Sequence, residues 1–156
     1  MSDLALTPGF VFYDLGSGVG KCVIQVAIDW LPSKSVGIEL AKTRHDAALE
    51  AHSHALQLGL LKDRNISFIN GDIMDTELYQ DGEVLYVASL CFDTEFMGVL
   101  AEKLSHLPHL DYIATIQEFP KPLPPNLVYL RPVSIRMTWN DDDQKTPVHL
   151  YGRKAT

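Results

Sequence analysis

Short apolar runs alternate with longer stretches of helical periodicity along most of this chain. Phe10-Val11-Phe12-Tyr13-Asp14-Leu15 is apolar, aromatic and β-branched and lies between Pro8-Gly9 and Gly16-Ser17-Gly18, the pattern of a parallel strand buried on both faces. From Val19 to about Trp30, Val23, Ala27 and Trp30 or Leu31 recur on one helical face, and Pro32 stops the run. Ser35 to Glu39 reads as a second strand. Ala41 to about Leu61 carries Ala47, Ala48, Ala51, Ala55, Leu56 and Leu58 at helical spacing, closed by the Gly59 region and the polar turn Lys62-Asp63-Arg64-Asn65. Ile66 to Asn70 and Val84 to Ala88 then predict two more strands, Phe92 to Ser105 a helix, and Tyr112 to Ile116 a fifth strand. Parallel strands need crossovers, so this alternation predicts a mostly parallel α/β sheet with helices on both faces.

The pattern changes after Glu118. Residues 119–126, with four prolines among Phe119-Pro120-Lys121-Pro122-Leu123-Pro124-Pro125, are too proline-rich for a helix or a central strand. Two strand-like runs come next, Val128 to Trp139 and Val148 to Lys154, around the solvated loop Asn140-Asp141-Asp142-Asp143-Gln144-Lys145. They predict an antiparallel hairpin at the edge of the sheet within residues 127–156. The expected organisation is one domain, with a short leader over 1–9, an α/β core over 10–118, the proline-rich connection and the terminal hairpin.

Length and composition narrow the class. The 156 residues suffice for one core without staples, and 46% hydrophobic with 21% charged residues is the balance of an ordinary globule. No run of about 18 apolar residues reads as a membrane span, and Met1 to Pro8 lacks the basic and apolar regions of a secretory signal, so the expected location is intracellular, cytoplasmic or nuclear. Cys22 and Cys91 have no CxxC spacing and sit among apolar neighbours, which predicts two structural thiols. A net charge of -7 argues against a strong nucleic-acid groove, which needs a basic stripe. His45, His52 and His54 lie along one helix, yet no cysteine or carboxylate completes a set with ligand spacing, so no metal is expected.

The chemistry concentrates in Asp14-Leu15-Gly16-Ser17-Gly18-Val19-Gly20, between a predicted strand and a predicted helix. Glycines there let the backbone turn sharply and approach a ligand, with a helix N-terminus behind it. A dinucleotide fingerprint would place its third small residue at position 21, which is Lys21. Glu39 ends the second strand 19 residues after Gly20, where an acidic side chain accepts both hydroxyl protons of a ribose. Asp72, in Asn70-Gly71-Asp72-Ile73, comes just after the third strand; in isolation that segment is only a turn.

Glycines at 16, 18 and 20 behind Asp14 resemble the first motif of class I S-adenosylmethionine-dependent methyltransferases, a likeness that extends over nearly the whole chain. Within that superfamily the loop Asp14 to Gly20, the strand end Val36-Gly37-Ile38-Glu39, and Thr138-Trp139 followed by Pro147-Val148 and Tyr151 resemble the Dot1-like histone-lysine methyltransferases. The resemblance implies a Rossmann-like sheet of five parallel strands plus the terminal hairpin, and S-adenosyl-L-methionine as cofactor with S-adenosyl-L-homocysteine as product. It further implies that Asp14, Gly16, Ser17, Gly18 and Gly20 hold the methionine end, Glu39 the ribose and Asp72 the adenine amino group, with Ile73 on the adenine face. The implied reaction is methyl transfer to a protein amine such as a histone lysine.

Two departures from the family keep alternatives open. Where the family carries paired asparagines and an aromatic cluster after the fourth strand, this chain has Ala88-Ser89-Leu90-Cys91-Phe92-Asp93, leaving Ser89, Phe92 and Trp139 to line the acceptor side. Only Met1 to Gly9 precede the first strand, so the family's lid is expected to be missing unless an upstream segment supplies it. A degenerate, non-catalytic binding or interaction domain, and a methyltransferase acting on a non-histone or small-molecule acceptor, are the rival readings.

Overall fold

The computed structural model describes residues 6, 8–136 and 144–154. Seven strands form a single sheet: β1 (Val11–Leu15), β2 (Lys34–Glu39), β3 (Ile66–Asn70), β4 (Val84–Val87), β5 (Tyr112–Thr115), β6 (Leu127–Ile135) and β7 (Thr146–Arg153). Their order is β3-β2-β1-β4-β5-β7-β6. The first five run parallel, and β7 pairs antiparallel with both β5 and β6. The five parallel strands and the terminal hairpin are as expected from sequence. Three helices cross between them: α1 (Lys21–Asp29), α2 (Lys42–Gln57) and α3 (Thr94–Ser105).

Strand alternation sorts the core into two faces. Tyr13, Leu15, Val36, Ile38, Leu85, Val87 and Ile113 pack with Met97, Leu100, Ala101 and Leu104 of α3 in the larger cluster. On the other face Phe12 and Val84 meet Val26 of α1, while Val23 and Ala27 of α1 pack with Ala55 of α2 and with Ile66. The strands therefore read as continuous apolar runs because both sides are covered.

Several boundaries differ from those the periodicity predicts, each for a local reason. α1 begins at Lys21 rather than Val19 because Gly18 and Gly20 hold φ of 55° and 83°, outside the helical region. α2 stops at Gln57 although apolar spacing continues to Leu61. Gly59 adopts φ 70°, its N–H donates to the Leu56 carbonyl (3.0 Å) and the Leu60 N–H to that of Ala55 (3.1 Å), which is a Schellman closure. α3 begins at Thr94 rather than Phe92 because the Asp93 carboxylate caps it, accepting from the Phe96 N–H at 2.8 Å. Residues Ser89–Cys91 before it form a 3-10 turn.

At the outer edge, β6 pairs only with β7 among the described residues and breaks register between Tyr129 and Arg131. Val128, Tyr129 and Leu130 are exposed there, ahead of Arg131 and Pro132. The predicted extension of this strand to Trp139, with Thr138, lies outside the described residues, as does most of the acidic loop. The proline-rich connection is anchored by Phe119, which is buried and donates its N–H to the Tyr151 hydroxyl at 2.9 Å.

The expectation of two buried thiols fails for Cys91, which is exposed in the 3-10 turn, whereas Cys22 is half-buried. The turn buries Ser89 on its inner side and leaves Cys91 on the outer one, a division that the polarity of the neighbours does not set.

Candidate functional site

The sheet reverses direction of growth at β1: two crossovers lead outward to β2 and then β3, and the chain then returns to place β4 on the other side of β1. Loops that leave the carboxyl ends of β1 and β4 diverge at such a switch point and open a crevice. Gly16 to Gly20, Glu39, Asp72, Ser89 and Phe92 all follow or end parallel strands at this same edge.

The loop after β1 is pinned to β2. Both the Gly16 and Ser17 N–H groups donate to the Ile38 carbonyl, at 2.8 and 2.9 Å. Gly16, Gly18 and Gly20 hold φ of 85°, 55° and 83°, conformations that L side chains rarely adopt. Gly20 is doubly constrained, since a Cβ there would lie 2.7 Å from the Phe68 ring and 3.1 Å from Ala48 on α2. At Gly18 the space beside the backbone is open. Ser17 sits over Gly37 of β2, where a Cβ would meet its Oγ at 2.5 Å.

Three acidic residues serve this loop differently. Asp14 is 2% exposed on β1, and its Oδ1 has no hydrogen-bond partner; the Oγ of the buried Ser17 has none either. Burial, reinforced by the nearby charge of Glu39, pushes the Asp14 carboxyl up to about 7. Cys22 and Tyr86 lie within its electrostatic reach, and both are raised in turn, chiefly by their own burial. Glu39, 4% exposed, accepts from the Gly18 N–H through Oε2 (2.9 Å) and from the Ala41 N–H and Arg44 Nη2 through Oε1 (both 2.8 Å). Burial pushes the Glu39 carboxyl up, but the bonds from Arg44, Ala41 and Gly18 outweigh it and hold the group below its ordinary range. Asp72 is exposed and accepts the Met74 N–H at 2.8 Å, while Ile73 beside it is buried in the larger core cluster.

The turn after β4 closes the other side. Phe92 reaches the loop, its Cζ 4.0 Å from where a Cβ would stand on Gly16, and its ring packs against Phe96 at 4.6 Å between centroids. Ser89 is fully buried, and its Oγ accepts the Gln117 N–H at 2.8 Å. The Gln117 side-chain amide donates to the carbonyls of Ser89 (2.5 Å) and Leu90 (3.1 Å), clasping the turn to the end of β5. The Ser89 hydroxyl is thus held in the framework, and the face toward the loop is Phe92. Trp139 lies outside the described residues.

Arg44 and Gln117 are the partners that reading the chain missed. Arg44 could have been found: five residues after a strand-ending glutamate, on the first turn of the following helix, it can fold back on that carboxylate. No local signal marks Gln117. Among the described residues no group of three potential ligands gathers to hold a metal ion. The three histidines of α2 diverge: His52 packs edge-on against Phe68 at 5.8 Å, and His54 is exposed.

Two buried, unpartnered polar groups lie beside an open, left-handed glycine loop, faced by a carboxylate at the next strand end. The residues present fit the cofactor that the loop's resemblance implies.

Comparison with known proteins agrees in fold and in family. The structure is similar to an RNA methyltransferase from Salinibacter ruber solved in complex with S-adenosyl-L-homocysteine, with a TM-score of 0.60 at 18% identity over 92% of this chain and 80% of that one. It is also similar to TrmN from Thermus thermophilus, with a TM-score of 0.71 at 17% identity over 94% of this chain and 45% of that one. At such identities the likeness is one of fold: the methyltransferase-like, Rossmann-like sheet. In sequence the chain is 33% identical over 114 residues to the histone-lysine N-methyltransferase, H3 lysine-79 specific, of Eremothecium gossypii, covering 64% of this chain and 18% of that protein. It is 29% identical over 126 residues to the protein of the same description in Caenorhabditis elegans, covering 76% of this chain and 13% of that protein. The chain thus spans less than a fifth of the length of these relatives. The family model described as "Histone methylation protein DOT1" matches residues 1–123, and the chain belongs to that family.

Proposed function

We propose that this chain binds S-adenosyl-L-methionine at the carboxyl edge of β1, β2 and β4 and transfers its methyl group to a protein amine, with a histone lysine as the acceptor class. The observation that carries the reading is the unpaired polarity of Asp14 and Ser17 behind the glycine loop. A buried polar atom without a partner costs free energy that a ligand recovers by completing it. Asp14 then faces the cationic amino end, Glu39 accepts from the ribose, Asp72 accepts from the adenine amino group, and the exposed margin of Ile73 meets the base.

When bound, the cofactor would supply a sulfonium methyl group whose carbon an amine lone pair attacks in line, the carbon–sulfur bond breaking to release the thioether of S-adenosyl-L-homocysteine. The chain's part is to align and to exclude water. The Gly16 to Gly20 backbone fixes the depth of binding, and Phe92 screens the loop from solvent on the acceptor side. The amine must arrive deprotonated, and the methylated ammonium that forms can then shed one of its protons to water. Such a protein would work inside the cell, in the nucleus or cytoplasm, and the described fold would act as one cofactor-binding unit.

A second reading, a binding domain without transferase activity, is favoured by Ser89: its hydroxyl oxygen accepts the Gln117 N–H and is committed to the framework of the turn after β4. Calorimetry with S-adenosylhomocysteine and NAD, followed by labelled methyl transfer to histone H3, nucleosomes and non-histone proteins, separates the readings. Glu39→Ala is expected to weaken S-adenosylhomocysteine binding about 10- to 100-fold, the worth of hydrogen bonds to a charged group. Tighter binding of NAD would overturn the cofactor assignment, and binding without transfer to any acceptor would favour the second reading.

A further inference from the structure

Glu39 reaches the ribose position with most of its accepting capacity already used. A carboxylate offers about four lone-pair sites. Three are filled, by the Gly18 N–H on Oε2 and by the Ala41 N–H and Arg44 guanidinium on Oε1. A ribose brings two hydroxyl donors to the one remaining site, so a present donor must leave. The Gly18 N–H cannot leave without moving the loop that Ile38 holds, and the Ala41 N–H sits at the start of α2. Arg44 differs from both: its side chain is 60% exposed, so its guanidinium returns to water at little cost.

The geometry points to Arg44 as a competitor for the cofactor's ribose, a side-chain latch that occupies Glu39 in the free protein and swings off when the ribose seats. The inference rests on the proposed cofactor reading and adds to it a residue that sets affinity from outside the pocket. Arg44 keeps Glu39 ionised and oriented while the site is free, and every ligand that bears a ribose diol pays for its release. A ligand lacking one hydroxyl needs only the free site and escapes that cost.

Calorimetry of the whole chain with S-adenosylhomocysteine, adenosine and 2′-deoxyadenosine tests this, comparing wild type with Arg44→Ala, Arg44→Met and Arg44→Lys. Arg44→Ala and Arg44→Met are expected to bind S-adenosylhomocysteine and adenosine about 2- to 5-fold more tightly, the scale of a partly exposed ion pair, with a smaller gain for 2′-deoxyadenosine. Arg44→Lys should fall between. Adenosine is uncharged, so wild-type affinity for it should rise with salt as the ion pair is screened, while Arg44→Ala stays flat. Unchanged or weaker binding by Arg44→Ala, with wild type binding normally, would overturn the latch and leave the cofactor reading standing. Failure of wild type and every variant to bind S-adenosylhomocysteine, with the thermal unfolding transition intact, would overturn both.

Discussion

Asp14 shows how a single residue can be costly to the fold and, in the proposed function, useful to the ligand. Its carboxyl titrates near 7 in the folded chain against 3.8 in the ordinary state. The folded state therefore holds a proton that the unfolded state has lost between those values, so stability falls as pH rises from about 4 to 7 and the loss is complete above. Asp14→Asn removes the ionisation with little change of shape. The variant should unfold at a clearly higher temperature than wild type at pH 8 and at nearly the same temperature at pH 4.5, while binding S-adenosylhomocysteine less tightly at pH 8. A temperature gap that stays constant across this range would mean that the carboxyl keeps ordinary acidity. The acidic residue before the glycines was legible in the sequence, because the loop's chemistry is local. Its missing partner was not, because burial of Oδ1 depends on the strands either side, where Asp14 stands opposite Gly37 of β2 and Tyr86 of β4.

At the scale of elements, the first crossover depends on one close approach. Gly20 lies between the loop, Phe68 of β3 and Ala48 of α2, so its missing side chain lets three elements meet. Gly20→Ala would combine a left-handed alanine, at about 1–2 kcal/mol, with crowding against the ring, at about 1–3 kcal/mol. A destabilisation of about 2–4 kcal/mol in denaturant unfolding is expected. Phe68→Leu added to it should restore part of the loss, and an additive double variant would disprove the contact. Strand and helix order could be read along the chain because apolar runs and helical periods are local signals. The Gly59 region was legible as the close of α2, though apolar spacing carried the expected end past Gln57 to Leu61; the start of α3 was not, since apolar spacing begins before Thr94 and the cap at Asp93 decides instead. The Gln117 clasp on Ser89 joins residues 28 apart, and nothing in either neighbourhood announces it.

Over the whole molecule, binding and exposure divide between two regions: the switch point at β1 and β4 gathers the site, and the antiparallel pair β7 and β6 carries the sheet to its open border. A strand paired on one side offers its other side to any chain that can extend the ladder. Here the border shows Val128, Tyr129 and Leu130 to solvent, and the continuation of the strand is unsuited to propagation: a break in register, an arginine and a proline. Pro132 has no N–H to give to an incoming strand, Arg131 adds charge, and the register shift between Tyr129 and Arg131 interrupts the regular ladder. Pro132→Thr should leave the unfolding transition of the dilute protein nearly unchanged and yet raise light scattering at high concentration. A variant as clear as wild type on prolonged incubation would mean that the break at Leu130 suffices alone. The irregular pairing and the proline together then act as a stop signal for sheet growth at this rim, turning away a further strand that would otherwise extend the ladder.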